Sequence, residues 1–373
     1  MIMQHSLNQF SAIIVAVLAA NLAVQLWLAN RHLRHVRAHR DQVPPAFSDA
    51  ISLETHKVAA EYTMSKVKVG MVDSAIGALL LLGWTIGGGL DVLNNWWTTF
   101  GLSPLRTGCG FILSAFLIFG LLDLPMSAYR TFVIEEKFGF NKTTVRLFIT
   151  DTIKQTLIVI LLGLPLVASI LWLMQEAGGA WWFYAWLLWA GFSLVLIWLY
   201  PVVIAPLFNK FSPLDDTELR ARIGDLLHRN GLNMKGVMVM DGSRRSGHGN
   251  AYFTGFGANK RIVFFDTLLD GLDNEEVEAV LAHEVGHFTK RHIRKQIVLR
   301  MTLSLAGLWV LGWLVDQLWF YHGLGIQEPS LAVALLLFLM VTPLFTFFLQ
   351  PLAARLSRKH EFEADDFAAA ECN

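Results

Sequence analysis

The chain has 373 residues, of which 54% are hydrophobic and 16% are charged. Soluble domains are roughly 45–50% apolar and about 25% charged, so this composition excludes an ordinary water-soluble fold. Thirty Lys and Arg residues balance thirty Asp and Glu residues, and a net charge of zero removes the broad positive field on which nucleic-acid binding relies. The apolar richness excludes intrinsic disorder, and two cysteines are too few for a disulfide framework. We therefore expect a protein whose partners include the lipid bilayer but no nucleic acid.

Seven apolar runs are each close to the roughly 20 residues that a helix needs to cross the hydrocarbon core. They cover residues 11–29, 71–90, 108–128, 153–174, 182–206, 300–321 and 331–350. We predict a mainly α protein with a bundle of seven transmembrane helices. A secretory signal peptide is the alternative for the first run. That run has no basic segment before it and no small-residue cleavage site after it.

Lys and Arg residues are concentrated in alternate loops, and short cytosolic loops are typically enriched in them. Residues 30–70 and 129–152 are rich in Lys and Arg, whereas 175–181 and 322–330 have none. This pattern predicts an N-terminus outside the cytosol and a C-terminus inside it. The long polar segment 207–298 is then cytosolic. We expect the bacterial inner membrane as the location, with the endoplasmic reticulum membrane as the alternative.

The spans and loops divide the chain into four regions. These are an N-terminal membrane domain (1–206), a cytosolic catalytic domain (207–298), two further transmembrane helices (299–350) and a C-terminal helix (351–373). Local patterns in the cytosolic region predict a small α+β domain. The expected elements, in chain order, are a turn at 212–216, an amphipathic helix over about 216–230, β-strands at 236–240, 250–256 and 261–265, and a helix from about Asn274.

The last of these helices contains His283-Glu-Val-Gly-His287, an H-E-x-x-H pattern. Residues i and i+4 share one face of a helix, so the two imidazoles can bind one metal ion while Glu284 lies beside the attacking water. Chance matches to the pattern are common, and the alternative is a pair of surface histidines. The start of the helix favours the metal site, because Asp273 is followed by Glu275 and Glu276 in a capping pattern. We predict one Zn²⁺ per chain.

Catalytic zinc usually has three protein ligands, so a third donor is needed. Glu361 and Asp365 are spaced i, i+4 on the C-terminal helix. One carboxylate can coordinate the metal while the other orients a ligand histidine. The alternative is a solvated acidic face. Glu363 points elsewhere and is expected to be solvated, and His292, which lies among basic residues, is expected to be exposed.

A candidate substrate-binding segment precedes the motif. Asn250, Ala251, Tyr252 and Phe253 belong to an expected edge strand, on which an extended peptide can pair through its backbone. The alternative is an ordinary structural strand. His248, two residues before Asn250, is as consistent with a polar turn as with a site.

Five strings, spread over nearly the whole chain, are more specific than the H-E-x-x-H pattern alone. They are Phe132–Asn141, Arg245–Thr254, Lys260–Leu269, His283–His287 and Ser357–Asp365. Through these strings the chain resembles the Ste24-type zinc metalloproteases, the integral-membrane CAAX prenyl proteases of peptidase family M48. The resemblance implies seven helices that enclose a large chamber, with the active site near its cytosolic side.

By the same resemblance, His283, His287 and Glu361 are the zinc ligands, Glu284 is the general base, and Asp365 supports a ligand from behind. Members of the family continue in helical sequence beyond the position of Asn373, so we expect this chain to be truncated.

These observations predict a zinc-dependent endopeptidase that cuts near the C-terminus of prenylated, CAAX-type or similar peptides. Its expected partner is a peptide or lipidated protein, and we expect a monomer. One alternative is a broad-specificity protease for membrane-protein quality control. Another is a non-catalytic membrane scaffold stabilised by zinc, although Glu284 has no use in a purely structural site. A thiol protease is disfavoured because neither cysteine has a base beside it in sequence.

Overall fold

The computed structural model describes residues 9–232, 236–254 and 261–372. Within these ranges the chain is mainly helical, and seven helical segments are long and apolar enough to cross a membrane. The predicted number of seven spans is therefore confirmed, and each helical segment overlaps one predicted run, although two of the runs differ in their bounds. The chain forms two compact units. The first comprises residues up to 139, 156–182 and 309–349, and the second comprises 140–155, 183–308 and the residues from 350 on.

The N-terminal half is built almost entirely from helices. They are α1 (Gln9–Ala38), α2 (Leu53–Trp84), α3 (Gly89–Thr98), α4 (Pro104–Tyr129), α5 (Val145–Glu176), α6 (Trp181–Leu199) and α7 (Ala205–Phe208). Two π-helical segments, Arg130–Glu135 and Tyr200–Ile204, extend α4 and join α6 to α7. The predicted run 71–90 does not stay helical to its end, because Gly88 adopts a positive φ of 82° and starts the separate helix α3.

In the first unit, buried polar side chains join α1 to two helices near the C-terminus, residues 318–323 and 331–346. Ser11 donates to the carbonyl of Gly323 at 2.8 Å, and Asn21 donates to the carbonyl of Leu344 at 3.4 Å. Both polar side chains are almost completely buried. Polar groups in a lipid environment need such internal partners, so these bonds tie together segments that are more than 300 residues apart.

The C-terminal half alternates membrane and polar helices. They are α8 (Thr217–Arg229), α9 (Asp266–Leu269), α10 (Asn274–Thr289), α11 (His292–Leu314), α12 (Leu318–Gly323), α13 (Leu331–Thr346) and α14 (Gln350–Glu371). The predicted run 300–321 is split, since α11 ends at Leu314 and the short α12 begins at Leu318. The polar residues Asp316 and Gln317 lie at this break.

A four-stranded mixed sheet lies in the second unit. Its strands are β1 (Phe211–Pro213), β2 (Gly236–Met240), β3 (Ala251–Thr254) and β4 (Arg261–Phe265), in the spatial order β1-β2-β4-β3. β2 and β4 are parallel, and the other two pairs are antiparallel. The predicted strands 236–240 and 261–265 are confirmed. Residues 255–256 of the third predicted strand lie outside the described residues.

The prediction of a turn at 212–216 was wrong for its first two residues. Ser212 and Pro213 pair with β2 as part of β1. A proline is tolerated there because β1 is at the edge of the sheet. The predicted helix that follows is confirmed, and it starts where Asp216 caps it by accepting a hydrogen bond from the amide of Leu219 at 2.9 Å.

The core of the sheet domain fixes α10. Ile223 and Leu226 of α8, Phe264 of β4, and Leu281 and Val285 of α10 are all almost completely buried in one cluster. Burying such a side chain is worth roughly 1.5–3 kcal/mol. The helix with the H-E-x-x-H motif is thus held by its apolar face, and its opposite face is available for chemistry.

Candidate metal centre

Helix α10 begins with a complete capping box. Asp273 accepts hydrogen bonds from the amides of Glu275 and Glu276 at 3.0 and 2.9 Å, and the carboxylate of Glu276 accepts from the amide of Asp273 at 3.0 Å. This cap confirms the predicted start of the helix. The i, i+4 spacing within this helix places the half-buried His283 and His287 on one side of it.

Three donor atoms from α10 and α14 converge on one point. The distance from Nε2 of His283 to Nε2 of His287 is 3.1 Å, and each of these atoms lies 3.5 Å from Oε2 of Glu361. Ligands placed about 2.0–2.2 Å from a tetrahedral zinc ion are roughly 3.3–3.6 Å apart. The two His–Glu distances match this spacing, and the His–His distance is slightly shorter. Among the described residues, these three side chains form a group that could hold a metal ion.

A second set of side chains lies behind the two histidines. Nδ1 of His283 is 2.8 Å from the carboxylate of Asp365, the residue to which the family resemblance gave the supporting role. Nδ1 of His287 is 2.9 Å from Nδ1 of His292, whose Nε2 is 2.8 Å from the carboxylate of Glu363. Each candidate ligand histidine is therefore held by a hydrogen bond on the side away from the metal position.

Two expectations about these residues were wrong. His292 is not exposed, since only 1% of its side chain is accessible. Glu363 is not merely solvated, because it binds His292 and thereby supports His287 from a second helix. His292 lies next to His287 across a short connection between α10 and α11, in which Arg291 has a positive φ of 58°.

One assignment of the imidazole protons, with each carboxylate accepting a proton from the ring nitrogen beside it, is compatible with the hydrogen bonds behind the site. Asp365 accepts the Nδ1 proton of His283, so Nε2 of His283 carries a lone pair. Glu363 accepts the Nε2 proton of His292, whose Nδ1 accepts the proton of His287, so Nε2 of His287 also carries a lone pair. Two lone pairs and a carboxylate oxygen thus face one another within 3.5 Å. Such groups repel each other unless a cation lies among them, so this donor set fits Zn²⁺.

His360 is buried behind His292, on the side away from the candidate metal position. Its ring stacks on His292 with centroids 4.0 Å apart and planes 13° apart, and it is 3% exposed. Burial, reinforced by neighbouring positive charge, lowers the pKa of His360, and burial likewise lowers the pKa of His287. Both rings therefore favour the neutral form, which a histidine ligand requires.

Gly286 sets the distance between α10 and α14. A Cβ atom at this position would lie 3.0 Å from Cα of Ala364, 3.1 Å from its carbonyl oxygen and 3.1 Å from Cβ of Phe367. Ala364 is completely buried at this crossing. The absence of a side chain at Gly286 lets the backbones approach, and this approach brings Glu361 within reach of the two histidines.

Glu284 is half-buried on α10 beside His283. Burial is the largest influence and raises the pKa of its carboxyl group; the charge of Glu361 acts in the same direction, and His283 opposes them. A carboxylate with a raised pKa exchanges protons more readily near neutral pH.

Strand β3 forms the outer edge of the sheet, as predicted for residues 251–254. Its register pairs Ala251 with Phe264, and the amide of Phe265 donates to the carbonyl of Asn250 at 2.9 Å. Hydrogen-bonded and non-hydrogen-bonded pairs alternate in an antiparallel ladder. The backbone groups of Ala251 and Phe253 therefore point away from β4, where no described strand lies. The side chain of Asn250 accepts from the amide of Ala251 at 2.8 Å.

The same strand contacts the metal-site helix. The ring of Phe253 lies 6.4 Å from that of Phe288, which follows His287 directly. The structure thus brings the predicted peptide-binding strand and the predicted ligands into one unit. His248 is exposed before this strand and stacks on Phe140 at 4.1 Å.

An ion pair that the sequence did not indicate anchors the loop before β3. Arg245 makes two bonds to Asp151 of α5, at 2.7 and 3.1 Å, and further bonds to Asn209 and to the carbonyl of Phe208. The two charged partners are 94 residues apart, so sequence spacing gave no signal for this contact.

Seven apolar spans and a His-His-Glu donor set around an H-E-x-x-H helix define a multi-pass membrane metallopeptidase. Comparison with known protein families leads to the same class. Residues 32–210 match the family described as "CAAX prenyl protease N-terminal, five membrane helices", and residues 213–373 match peptidase family M48. The chain therefore belongs to the CAAX prenyl protease family of M48 metallopeptidases.

Individual relatives are similar over most of the chain. The CAAX prenyl protease 1 homolog of Dictyostelium discoideum is 35% identical, over 88% of this chain and 79% of the relative. The CAAX prenyl protease 1 of Saccharomyces cerevisiae is 31% identical, over 98% and 86%. The crystal structure of S. mikatae Ste24p superposes with a TM-score of 0.88 at 30% identity, and covers 97% of this chain and 88% of that one.

Proposed function

We propose that this protein is a zinc-dependent endopeptidase that cuts near the C-terminus of prenylated, CAAX-type peptides. The observation that carries the proposal is the convergence of Nε2 of His283, Nε2 of His287 and Oε2 of Glu361 within 3.5 Å. The substrate class comes from the relatives, which are named CAAX prenyl proteases. Residues 207–298 and the C-terminal helix from 351 supply the chemical groups.

In this proposal His283, His287 and Glu361 hold the zinc ion. Bound zinc supplies Lewis-acid polarisation of the scissile carbonyl and acidifies the attacking water. Glu284 takes a proton from that water and delivers it to the leaving amine, so no side chain becomes covalently attached to substrate. Asp365 and His292 keep the two ligand imidazoles oriented.

The substrate peptide is proposed to lie along β3. The outward backbone groups of Ala251 and Phe253 can pair with an extended peptide, while Tyr252 faces β4 with its backbone and Asn250 precedes the strand. The amide of Ala251 already has the side chain of Asn250 as a partner. A peptide that pairs at this position therefore displaces the Asn250 side chain.

Two substitutions test the assignment of roles. Glu284→Gln keeps the size of the side chain but removes the base, so zinc content should stay near one per chain while turnover falls by about 10²–10⁴-fold. Glu361→Ala removes a ligand, so zinc affinity and activity should fall together. Elemental analysis and peptide cleavage measure the two properties. Loss of zinc from Glu284→Gln, or retention of both properties in Glu361→Ala, would show that the roles are wrong.

Substrate preference is tested separately. Cleavage of a farnesylated CAAX peptide is compared with cleavage of the same peptide without the lipid and with an unfolded membrane protein. Preference for the farnesylated peptide supports a prenyl protease. Equal cleavage of all three points to broad-specificity quality control, and zinc binding with no cleavage of any points to a scaffold.

We propose that the metal centre faces the cytosol, on the basis of the alternating Lys and Arg content of the loops. Single cysteines at Ser103 and Ser212, in a background with both native cysteines replaced (Cys109→Ser and Cys372→Ser), should react with impermeant reagents from opposite sides of the membrane. Reaction of both from one side contradicts this topology. The relatives named above are eukaryotic, which favours the endoplasmic reticulum over the bacterial inner membrane; the compartment stays a prediction.

A further inference from the structure

A basic cavity of about 600 Å³ lies in the second unit, apart from the metal centre. Four of its lining residues are cationic and none is acidic: Lys142, Arg146, Lys154 and Arg244. The first three belong to the start of α5 and the residues before it, and the fourth precedes β3. Its volume is within the roughly 300–1,000 Å³ that is typical of small-molecule sites.

The positive charge around this cavity is uncompensated within the described part of the chain. None of the four cations forms an ion pair with a described carboxylate. Lys154 donates to a backbone carbonyl, that of Leu207, at 2.8 Å. The neighbouring acid Asp151 uses both oxygens on Arg245. Four like charges around one concave surface repel each other, and this repulsion is relieved when an anion enters.

Contacts between two distant segments of the chain bring the four cations together. Arg244 comes from a part of the chain about 100 residues after α5 begins, and the adjacent Arg245 is fixed to Asp151 of α5. The carbonyl of Arg245 also accepts hydrogen bonds from the amide of Lys142 at 3.1 Å and the hydroxyl of Thr143 at 3.0 Å. Cytosolic loops are generally rich in Lys and Arg, but that general enrichment does not explain why cations from two distant segments line the same cavity.

The position of the cavity identifies the class of ligand. Helix α5 is a candidate membrane span of 32 residues, and its uncharged, strongly apolar stretch begins just after Lys154. The cavity is thus at the level where lipid head groups lie. We propose that it binds the phosphate-bearing head group of an anionic phospholipid. Lys142, Arg146 and Arg244 are exposed and therefore accessible to such a group.

The test measures lipid binding and does not depend on peptidase activity. The purified full chain in neutral detergent is titrated with short-chain phosphatidylinositol 4-phosphate, with short-chain phosphatidylcholine and with inorganic phosphate, by microscale thermophoresis. We expect saturable binding of the phosphoinositide, at least tenfold weaker binding of phosphatidylcholine, and no competition from equimolar inorganic phosphate.

Matched variants distinguish binding at this cavity from general attraction to surface charge. The double variant R146Q/R244Q should bind the phosphoinositide about 30-fold more weakly, at about fivefold per cation. The control R34Q/R37Q removes the same charge from exposed positions of α1 and should change affinity less than threefold. R146K/R244K keeps the charge and should stay within about threefold of the unchanged protein, and the melting temperature of R146Q/R244Q, which should match that of the unchanged protein, checks for a folding defect.

Three results would overturn the proposal. Equal weakening by R146Q/R244Q and R34Q/R37Q would show that general surface charge attracts the lipid. Equal affinity for the phosphoinositide and phosphatidylcholine would show that the phosphate is not recognised. Competition by inorganic phosphate at equal concentration would reassign the cavity to a soluble phosphate compound.

Discussion

Gly286→Ala tests whether the close approach of α10 and α14 builds the metal centre. The added Cβ would lie 3.0 Å from Cα of Ala364, where ordinary contact begins at 3.4 Å. Helix α14 must therefore recede by about 0.4 Å at this point, because neither contacting backbone atom can rotate away. Glu361 lies one turn from Ala364 on the same helix and moves with it.

The expected effects on stability and on zinc binding differ. Alanine gains about 1 kcal/mol of helix propensity over glycine, and overpacking costs about 1–3 kcal/mol, so the free energy of unfolding falls by no more than about 2 kcal/mol. Metal–ligand distances tolerate about 0.2 Å. A displacement of about 0.4 Å should lower zinc affinity by about 10- to 100-fold, as disturbance of the groups around a metal commonly does.

Zinc affinity is measured by competition with a chromophoric chelator, and folding is followed by the melting temperature of the metal-free protein. The matched control is Gly224→Ala in the interior of α8, where an added Cβ meets nothing within 4 Å. The control should melt at the same or a higher temperature and keep its zinc affinity. Unchanged zinc affinity in Gly286→Ala would refute the idea that this glycine sets the position of Glu361.

Three further substitutions probe other contacts. His292→Ala removes the acceptor of the His287 Nδ1 proton and should lower zinc affinity by about 10- to 100-fold in the same chelator assay; unchanged affinity would exclude a supporting role. Ala251→Pro removes an amide that points away from β4, so zinc content should persist while peptide cleavage falls, and undiminished cleavage would exclude pairing there. Burial acts to raise the pKa of Asp266, but hydrogen bonds from Ser243, with those from the amides of Thr267 and Gly242, more than offset it and hold that pKa below its usual value. The stabilisation by ionised Asp266 is then present above about pH 4 and is lost as the pH falls further. Asp266→Asn should therefore lower the melting temperature at pH 7, and the melting temperature of this variant should fall less steeply in acid. Melting temperatures identical to those of the unchanged protein at every pH would contradict this.

Local sequence patterns were sufficient for the elements that depend on neighbours in the chain. The capping pattern at Asp273 located the start of α10, and apolar β-rich runs located β2 and β4. The i, i+4 spacing of His283 and His287, together with the capping pattern at the start of the helix, was enough to predict a metal site. Strand β1 was missed because three residues with a proline pair only through the partner strand β2.

Contacts between distant segments could not be predicted in the same way. His292 has basic neighbours in sequence, which suggested exposure, yet helix α14 covers it from about 70 residues further along the chain. Glu363 and Asp365 are only two residues apart, yet Asp365 contacts His283 and Glu363 contacts His292. This difference depends on how α14 is oriented against α10, which the sequence does not show. The bond between Arg245 and Asp151 depends on how the loop before β3 lies on α5.

The connection at Arg291 has a mechanical consequence. Only Lys290 and Arg291 separate the helix that holds both candidate zinc-binding histidines from α11, a candidate membrane span. His292 is the first residue of α11 and also the hydrogen-bond partner of His287. Because the connection is only two residues long, a change in the tilt of α11 is expected to move His287, a candidate metal ligand. We expect zinc retention to vary with the thickness of the bilayer into which the protein is reconstituted.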